Sequence, residues 1–542
     1  MAGAASADHH DKSVAAKPKL IVAISVDQLS SDLFSEYRST FTGGLKRLTD
    51  GVVFPSGYQS HAATETCPGH ATIMTGAHAG RAGIIGNNWV DLGIEREDKT
   101  VYCAEDERIK GTSFGDITRP STANYIPSAW HLLVPTLGER LKKISPESRN
   151  VAVAGKDRAA LMMGGKNVDE IYWFKGKGFE TDRGKKILPG VAMVNAGIAE
   201  KIDLAREPTA IPLHCAARNR AITHGDGKSV GTYAFGRPAG AGKLFRLSPD
   251  FDAAIVAAAI VAAKDMKLGQ GEATDILSVG LSATDYIGHA FGTEGLEMCL
   301  QMAELDRNLG KLFNYLDAFG IDYAVMLTAD HGGLDLPERA RMQAMPYAER
   351  LNAGLNAKAY GAKVKAALSL TMDDQLLYAD GPLGDYYISR DLDPQTKARV
   401  KAEAIKQISA HPQVQTVLDG AMLAAMPMPT GAVEEWTLAE RARASFHPDR
   451  SGDFIVILKN GVTPIPNTVR GYVATHGSPW DYDRRVPILF WRKGMDGFEQ
   501  PHPVKTVDIA PTLGALIGVE IPASEIDGRC LDLDAGIGNS CD

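Results

Sequence analysis

The chain has 542 residues, enough for three or four domains of about 150 residues or for one large α/β domain with insertions. Hydrophobic residues make up 44% and charged residues 23%, which excludes a disordered chain, a collagen-like fibre and a small disulfide-dense scaffold. The net charge of −8 argues against binding nucleic acid or an anionic membrane through bulk charge. An anionic substrate would need local positive charge from metal ions or from a few lysines and arginines.

The N-terminal segment, residues 1–17, is small and polar, and it lacks both a basic region and an apolar stretch. It therefore does not match an intact signal peptide. Two explanations stay open: the processed start of an exported chain to which a Met was added, or the disordered start of a cytosolic chain. We expect the first, which places the protein in the periplasm or outside the cell.

Five short apolar runs predict strands buried on both faces, because they lack the alternation of half-exposed strands. They are residues 20–27, 150–155, 276–285, 323–330 and 487–491. Helical patterns lie between them, for instance at 297–319; the apolar stretch 253–263 predicts a buried helix and is too short to span a membrane. This alternation predicts an α/β fold with a largely parallel central sheet and helices on both faces. In such sheets, ligands bind beyond the carboxyl ends of the strands.

Long segments separate the strands that are followed by polar residues. We expect two of these segments, 159–275 and 341–450, to be insertions that cover the ligand site at the carboxyl ends of the strands. The remaining parts, 18–158, 276–340 and 451–542, would form the core that carries it. No repeat of fixed period is present.

Three aspartates and three histidines stand at strand ends or in loops. They are Asp27, Asp285, His289, Asp330, His331 and His476. Each alone is weak evidence, since an Asp at a strand end is usually a cap or turn residue and a buried His is usually structural. Together, carboxylates and imidazoles suit zinc, and six such ligands divide into two sites of three.

Thr66 lies in the segment TETCPGHATIMTG, where a polar loop meets an apolar helical run. A threonine there is most often a helix N-cap. The alternative is functional: amide groups at a helix N-terminus favour phosphate, and a metal-bound hydroxyl loses its proton readily enough to act as a nucleophile.

The order of these motifs resembles the alkaline phosphatase superfamily, within it the secreted bacterial alkaline phosphatases with a threonine nucleophile (PafA/PhoK type). The resemblance rests on TCPGH at Thr66, GNNW at Asn87, DYIGH at Asp285, ADHGG at Asp330 and THGS at His476, with Asp27 ahead of them. The segment DIAPTLGALIGV, residues 508–519, is also similar to the C-terminal helix of that superfamily. The resemblance covers about residues 18–519, with the insertions less closely matched.

The resemblance implies two Zn²⁺ ions and a phosphothreonine intermediate. Asp285, His289 and His476 would hold one zinc. Asp27, Asp330 and His331 would hold the other, with the Thr66 hydroxyl as its fourth ligand. Asn87 would donate a hydrogen bond to a phosphate oxygen. An additional Ca²⁺ in an acidic surface loop is compatible with the sequence but is assigned to no residue.

The pair Lys156 and Arg158 is similar to that of the monoesterase group and implies phosphate monoesters as substrates. On its own, such a pair is usually solvated. Two alternatives stay open: a phosphodiesterase or nucleotide pyrophosphatase-type hydrolase of the same superfamily, and a binding protein without activity. The remaining histidines that we considered are expected to pack or to face solvent: His61, His70, His78, His214, His224 and His447.

Six cysteines allow 15 complete pairings, and none forms a CxxC zinc motif. We expect three disulfide bonds: Cys67 with Cys103, Cys215 with Cys299, and Cys530 with Cys541. The last would restrain the chain near its C-terminus. We also expect a monomer.

Overall fold

The computed structural model describes residues 17–113, 124–182, 184–225, 227–372, 374–468 and 471–542, so residues 1–16 of the predicted N-terminal segment lie outside the described residues. The strands are β1 (Leu20–Val26), β2 (Val52–Tyr58), β3 (Asn88–Val90), β4 (Thr100–Tyr102), β5 (Asn150–Ala154), β6 (Glu170–Lys175), β7 (Gly178–Glu180), β8 (Ile222–Thr223), β9 (Ser229–Val230), β10 (Asp275–Leu281), β11 (Tyr323–Thr328), β12 (Glu349–Arg350), β13 (Leu377–Tyr378), β14 (Gly384–Ile388), β15 (Val414–Asp419), β16 (Phe454–Leu458), β17 (Val462–Thr463), β18 (Arg485–Arg492), β19 (Phe498–Glu499) and β20 (Val504–Lys505). The α-helices are α1 (Ser31–Tyr37), α2 (Gly44–Thr49), α3 (Thr66–Thr75), α4 (Ala79–Ala82), α5 (Leu137–Ile144), α6 (Asp157–Gly164), α7 (Pro189–Asp203), α8 (Gly242–Arg246), α9 (Asp250–Asp265), α10 (Ala283–Phe291), α11 (Leu296–Ala318), α12 (Pro337–Gln343), α13 (Ala357–Leu368), α14 (Pro394–Ser409), α15 (Gly420–Ala425), α16 (Leu438–Ser445), α17 (Asp481–Arg484) and α18 (Ile509–Ile517).

A ten-stranded sheet forms the centre of the molecule, in the order β19-β2-β18-β11-β1-β10-β5-β6-β7, with β20 also pairing with β2. The five strands from β11 to β6 in this order are mutually parallel, whereas β18 runs antiparallel to both β11 and β2. All five strands predicted from apolar runs lie in this sheet. The predicted α/β fold class with a largely parallel sheet is therefore confirmed.

Helices cover both faces of the sheet, and the alternation of side chains along β1 shows the two faces. Leu20, Val22 and Ile24 belong to the core shared with α9 and α11. Ile21 and Ala23 belong to the core shared with α3 and α18. Burial on both sides explains why the strand is apolar at every one of these positions. The predicted helices at 253–263 and 297–319 correspond to α9 and α11.

A smaller antiparallel sheet, in the order β13-β14-β16-β15, packs with α13 and α14 around a separate apolar core. Most of it comes from the segment 341–450 that we predicted as an insertion, but its strand β16 lies beyond residue 450. The other predicted insertion, 159–275, supplies β6 and β7 to the central sheet. The domain boundaries stay a prediction. Strands of both sheets come from either side of these boundaries, which were placed from the spacing between motifs, and that spacing does not show which strands pair.

All three predicted disulfides are present: Cys67–Cys103, Cys215–Cys299 and Cys530–Cys541. The first ties the start of α3 to the residue that follows β4. The second ties α11 to the 3-10 helix Leu213–Arg218. No helix among the described residues combines the length and the hydropathy needed to cross a membrane.

Candidate active site

Polar side chains follow four neighbouring parallel strands at the point where each strand ends. Asp27 comes after β1, Lys156 after β5, Asp285 after β10, and Asp330 and His331 after β11. Since β1 lies between β10 and β11, with β5 beside β10, these strand ends meet at one edge of the sheet. Contacts between these side chains bring them together, and their roles as ligands or catalytic residues stay a prediction.

The first cluster joins Asp285 with two histidines. The Nε2 atoms of His289 and His476 both lie 3.3 Å from Asp285 Oδ1. The opposite ring nitrogens are held by carbonyl groups, His289 Nδ1 by Ala474 at 3.0 Å and His476 Nδ1 by Thr64 at 2.8 Å. A histidine that donates from Nδ1 presents the lone pair of Nε2, as metal-bound histidines do.

The second cluster contains Asp27, Asp330 and two histidines. His331 Nε2 lies 3.2 Å from Asp330 Oδ2, while its Nδ1 is 2.8 Å from the Gly332 carbonyl oxygen. His70 lies between the two carboxylates, with Nε2 3.3 Å from Asp27 Oδ1 and Nδ1 3.4 Å from Asp330 Oδ2. His331 thus lies beside Asp330, and its role as a metal ligand stays a prediction.

The expectation that His70 only packs or faces solvent is wrong, because its side chain is fully buried against two site carboxylates. His70 Nδ1 also lies 2.8 Å from the Thr66 carbonyl oxygen, one helical turn earlier. The signal was present in the sequence: residues four apart on a helix share a face, so a histidine at this position follows Thr66 into the site.

Both clusters fit divalent cations. Zinc bonds of about 2.0–2.1 Å in a tetrahedral arrangement separate neighbouring ligand atoms by about 3.3 Å, which matches the carboxylate–imidazole distances. Several buried ligand atoms also lack a hydrogen bond, and such atoms are costly unless something satisfies them. They are Oδ1 of Asp27, Oδ1 of Asp285, Oδ2 of Asp330 and Nε2 of His331.

Lys156 joins the two clusters. Its Nζ lies 2.6 Å from Asp285 Oδ2 and 2.8 Å from Asp27 Oδ2, and its side chain is 2% exposed. Burial by itself lowers the pKa of Lys156, but the charges of Asp27 and Asp285 outweigh burial and hold that pKa above its ordinary value. Lys156 therefore stays protonated at neutral pH. Its charge helps to lower the pKa of Asp285, whereas burial raises the pKa of Asp27 above its ordinary value despite the same ammonium group.

Thr66 is the first residue of α3, fully buried, with Oγ1 3.4 Å from Lys156 Nζ. Close packing of α3 on the sheet edge sets this position, because a Cβ on Gly69 would lie 2.2 Å from the Asp330 carbonyl oxygen. Only glycine lets the first turn of the helix approach the second cluster this closely. Thr66 thus stands beside the lysine that joins the two clusters, at the N-terminus of a helix.

Asn87 and Arg158 border the same region. Asn87 Oδ1 accepts a hydrogen bond from Cys67 N at 2.9 Å, and Asn87 N donates one to Glu65 Oε2 at 2.5 Å. Its side-chain Nδ2 donates to none of the described residues. Arg158 lies in the first turn of α6, and although burial lowers the pKa of its guanidinium, Tyr102 and other neighbours hold that pKa above its usual range.

The chain matches the family described as type I phosphodiesterase / nucleotide pyrophosphatase over residues 21–479. It is 53% identical over 534 residues to alkaline phosphatase PhoK of Sphingomonas sp., covering 98% of this chain and 94% of that protein. It is 47% identical to alkaline phosphatase PhoD of Zymomonas mobilis, covering 96% of this chain and 89% of that protein.

The crystal structure of wild-type alkaline phosphatase PafA superposes on this chain with a TM-score of 0.80 at 25% identity, covering 95% of this chain and 99% of that one. The superposition extends over nearly the whole of both chains, so it includes the smaller sheet as well as the central one. The resemblance that the sequence motifs indicated is thereby confirmed.

Proposed function

Because this chain belongs to the type I phosphodiesterase / nucleotide pyrophosphatase family, within the alkaline phosphatase superfamily, we propose that it hydrolyses phosphate monoesters through a phosphothreonine intermediate on Thr66. The observation that carries the proposal is the position of Thr66 beside Lys156, whose ammonium group joins two clusters of buried carboxylates and imidazoles. The alkaline phosphatases among its relatives support it.

Each cluster would hold one divalent cation, which we assign as Zn²⁺ from the ligand types. The proposed ligands are Asp285, His289 and His476 for one ion, and Asp27, Asp330, His331 and Thr66 Oγ1 for the other. When bound, two such ions act as Lewis acids that stabilise the entering and leaving oxygens of an in-line displacement. His70 contacts the carboxylates of the second cluster and would orient them.

The residues of the chain carry the remaining steps. Thr66 Oγ1 attacks phosphorus, a bond forms between them, and the bond to the ester oxygen breaks as the alcohol leaves. Water then attacks the phosphothreonine, releases inorganic phosphate and restores the hydroxyl. The amide groups at the start of α3 favour the phosphoryl oxygens, and Asn87 Nδ2 would donate to one of them.

Lys156 and Arg158 would select monoesters. A monoester near neutral pH carries two negative charges and one more unsubstituted oxygen than a diester, and ammonium and guanidinium groups bind such oxygens strongly. The second candidate, a phosphodiesterase, is favoured only by the description of the matched family. A protein without activity is disfavoured, since all six predicted ligands lie together.

Comparing an aryl monophosphate with the corresponding bis-aryl diester separates the two enzymatic candidates. We expect kcat/KM to be higher for the monoester, and Lys156→Ala with Arg158→Ala to lower it far more for the monoester than for the diester. Equal losses on both substrates would contradict the assignment of the pair.

Replacing the nucleophile tests the intermediate. We expect Thr66→Ala to abolish turnover of the aryl monophosphate while the protein keeps its bound metal, and Thr66→Ser to restore part of the activity. Thr75→Ala, at the far end of the same helix, is the matched control, because the Thr75 hydroxyl bonds only to the backbone at that end, donating to Ala71 O and accepting from Ala77 N. Full activity of Thr66→Ala would refute the assignment.

The three disulfides support export to an oxidising compartment, which we propose to be the periplasm or the cell exterior. We also propose a monomer, which sedimentation at several concentrations would test.

A further inference from the structure

A cavity of about 140 Å³ lies between the central-sheet core and the smaller sheet. Glu65, Gly86 and Gly477 line one side of it, and each is the immediate chain neighbour of a residue assigned to the active site. The wall of the cavity is therefore built from the same three loops that carry the nucleophile, the asparagine and one ligand histidine. A substrate held at Thr66 would have this cavity beside it.

The opposite wall comes from the β13–β14 hairpin and from β16. It contributes Asp380, Asp385 and Tyr387, while Trp89 adds a second aromatic ring from the core side. Tyr387 and Trp89 are buried, Asp385 is half-buried and Asp380 is exposed at the mouth. The cavity thus has aromatic side chains at its base and carboxylates on the way in.

Three carboxylates line this cavity, and no lysine or arginine does. Each uses one oxygen within the protein: Glu65 Oε2 accepts from a backbone amide, Asp385 Oδ1 accepts from Gly452 N at 2.6 Å, and Asp380 Oδ2 accepts from Asn88 Nδ2 at 3.2 Å. The second oxygen of each makes no hydrogen bond to the described residues. In the described part of the chain, none of the three has a basic side chain within ion-pair distance, 4.0 Å.

The missing counter-charge has an electrostatic consequence. Burial raises the pKa of Asp385 to about 6. Asn88 Oδ1, in the same wall, is buried without a hydrogen-bond partner. These groups would gain from a ligand that brings positive charge.

The arrangement does not suit a metal ion. Three groups of His, Cys, Asp or Glu among the described residues bring their ligand atoms within 4.8 Å of one another, and none contains Glu65, Asp380 or Asp385. Separated carboxylates around aromatic walls suit an organic ammonium group, which is bulky, weakly hydrated and attracted to ring faces.

We infer that this cavity receives the alcohol part of the substrate and selects an ammonium group on it, so that phosphate monoesters of amino alcohols are preferred substrates. The inference rests on the proposed function, because it assigns the group that leaves from phosphorus at Thr66. Asp385 and Glu65 would face the ammonium group, Trp89 and Tyr387 would enclose it, and Asp380 would attract it at the mouth.

A pair of esters with the same shape tests the inference. Choline phosphate carries a quaternary ammonium group, and 3,3-dimethylbutyl phosphate carries a neutral carbon in its place. We expect the wild-type enzyme to show a kcat/KM ratio of about tenfold or more in favour of choline phosphate, as desolvated cation–aromatic and cation–carboxylate contacts predict. Asp385→Asn and Asp380→Asn should each lower that ratio several-fold.

The matched control is Asp391→Asn, which removes a carboxylate just beyond β14 that does not line the cavity and should leave the ratio unchanged. Asp380 is exposed, so its variant keeps the test valid even if Asp385→Asn folds poorly. A wild-type ratio near one, or a ratio that neither variant lowers, would overturn the inference while leaving the monoesterase proposal intact. Failure to hydrolyse either ester or an aryl monophosphate would instead overturn the proposed function and this inference with it.

Discussion

Replacing Lys156 by methionine should destabilise the metal-free protein strongly and the metal-loaded protein much less. The ammonium group lies 2.6 and 2.8 Å from two carboxylates that are at most 2% exposed. Methionine is also unbranched but brings no charge, so Lys156→Met leaves Asp27 and Asp285 buried without their cation. Removing one partner from a buried ion pair costs about 3–5 kcal/mol of unfolding free energy.

The dependence on metal is the discriminating part. If each cluster holds a divalent cation, both carboxylates keep a cationic partner in the loaded protein, and the loss should fall to about 1–2 kcal/mol. Denaturant unfolding of chelator-treated and zinc-loaded samples measures both values. Lys46→Met is the control, since its partner Asp50 lies at the surface and exposed pairs contribute only about 0–1 kcal/mol. Equal losses with and without zinc, or a loss below about 1 kcal/mol without it, would refute the reasoning.

Gly69→Ala should lower kcat by about 100-fold or more, because its methyl group would collide with the Asp330 carbonyl oxygen and displace the nucleophile; unchanged kcat would contradict this. Asp385→Asn should leave stability at pH 4 nearly unchanged and raise it by up to about 3 kcal/mol at pH 8, as denaturation at both pH values would measure. The folded-state pKa of about 6 lies above the unfolded value of 3.8, so the wild type loses stability as pH rises through this window and the amide does not. Cys215→Ser with Cys299→Ser should cost about 4–5 kcal/mol of unfolding free energy, more than the about 3 kcal/mol expected for the 11-residue C-terminal loop, and the reverse ranking would contradict the loop-entropy account.

The central sheet was predictable because its strands are buried on both faces. In β1, LIVAISV, Ser25 is the single polar residue and all seven positions are buried, which is typical of a strand covered on both faces. The smaller sheet was harder to predict from the sequence. Its strands β14 and β15 are partly exposed, with mixed sequences, and its central strand β16 lies about 35 residues beyond β15, so the pairing depends on contacts that local patterns do not encode.

Most of the predicted site follows from strand order, which brings the carboxyl ends of the strands together. Asp27, Asp330 and His331 come soon after strands, whereas Asp285 and His289 lie in the helix α10 that follows β10. His70 was missed because it stands inside a helix that reads as apolar, where a single histidine is usually structural. The acidic cavity was missed because its walls come from loops and a hairpin more than 290 residues apart in sequence, such as Asn88 and Asp380.

Charge balance links the two clusters to the class of substrate. Three carboxylates and the Lys156 ammonium give the site a charge of −2 when its histidines are neutral and the Thr66 hydroxyl is protonated. Arg158 is counted together with Asp157, whose charge helps to raise the pKa of its guanidinium. Two divalent cations would change −2 to +2, which a monoester dianion neutralises and a diester monoanion does not. The site is therefore complementary to the second negative charge of the substrate.

That second charge is lost when a monoester is protonated with a pKa of about 6, whereas a diester does not titrate there. Protonation of the enzyme's own ligands lowers kcat/KM for both substrates, so the ratio of monoester to diester kcat/KM isolates the charge of the substrate. We expect this ratio to be constant above about pH 7 and to fall by about tenfold for each pH unit below about 5. A ratio that stays constant from pH 4 to pH 8 would show that the site binds the monoanion equally well, and the charge-balance argument would then fail.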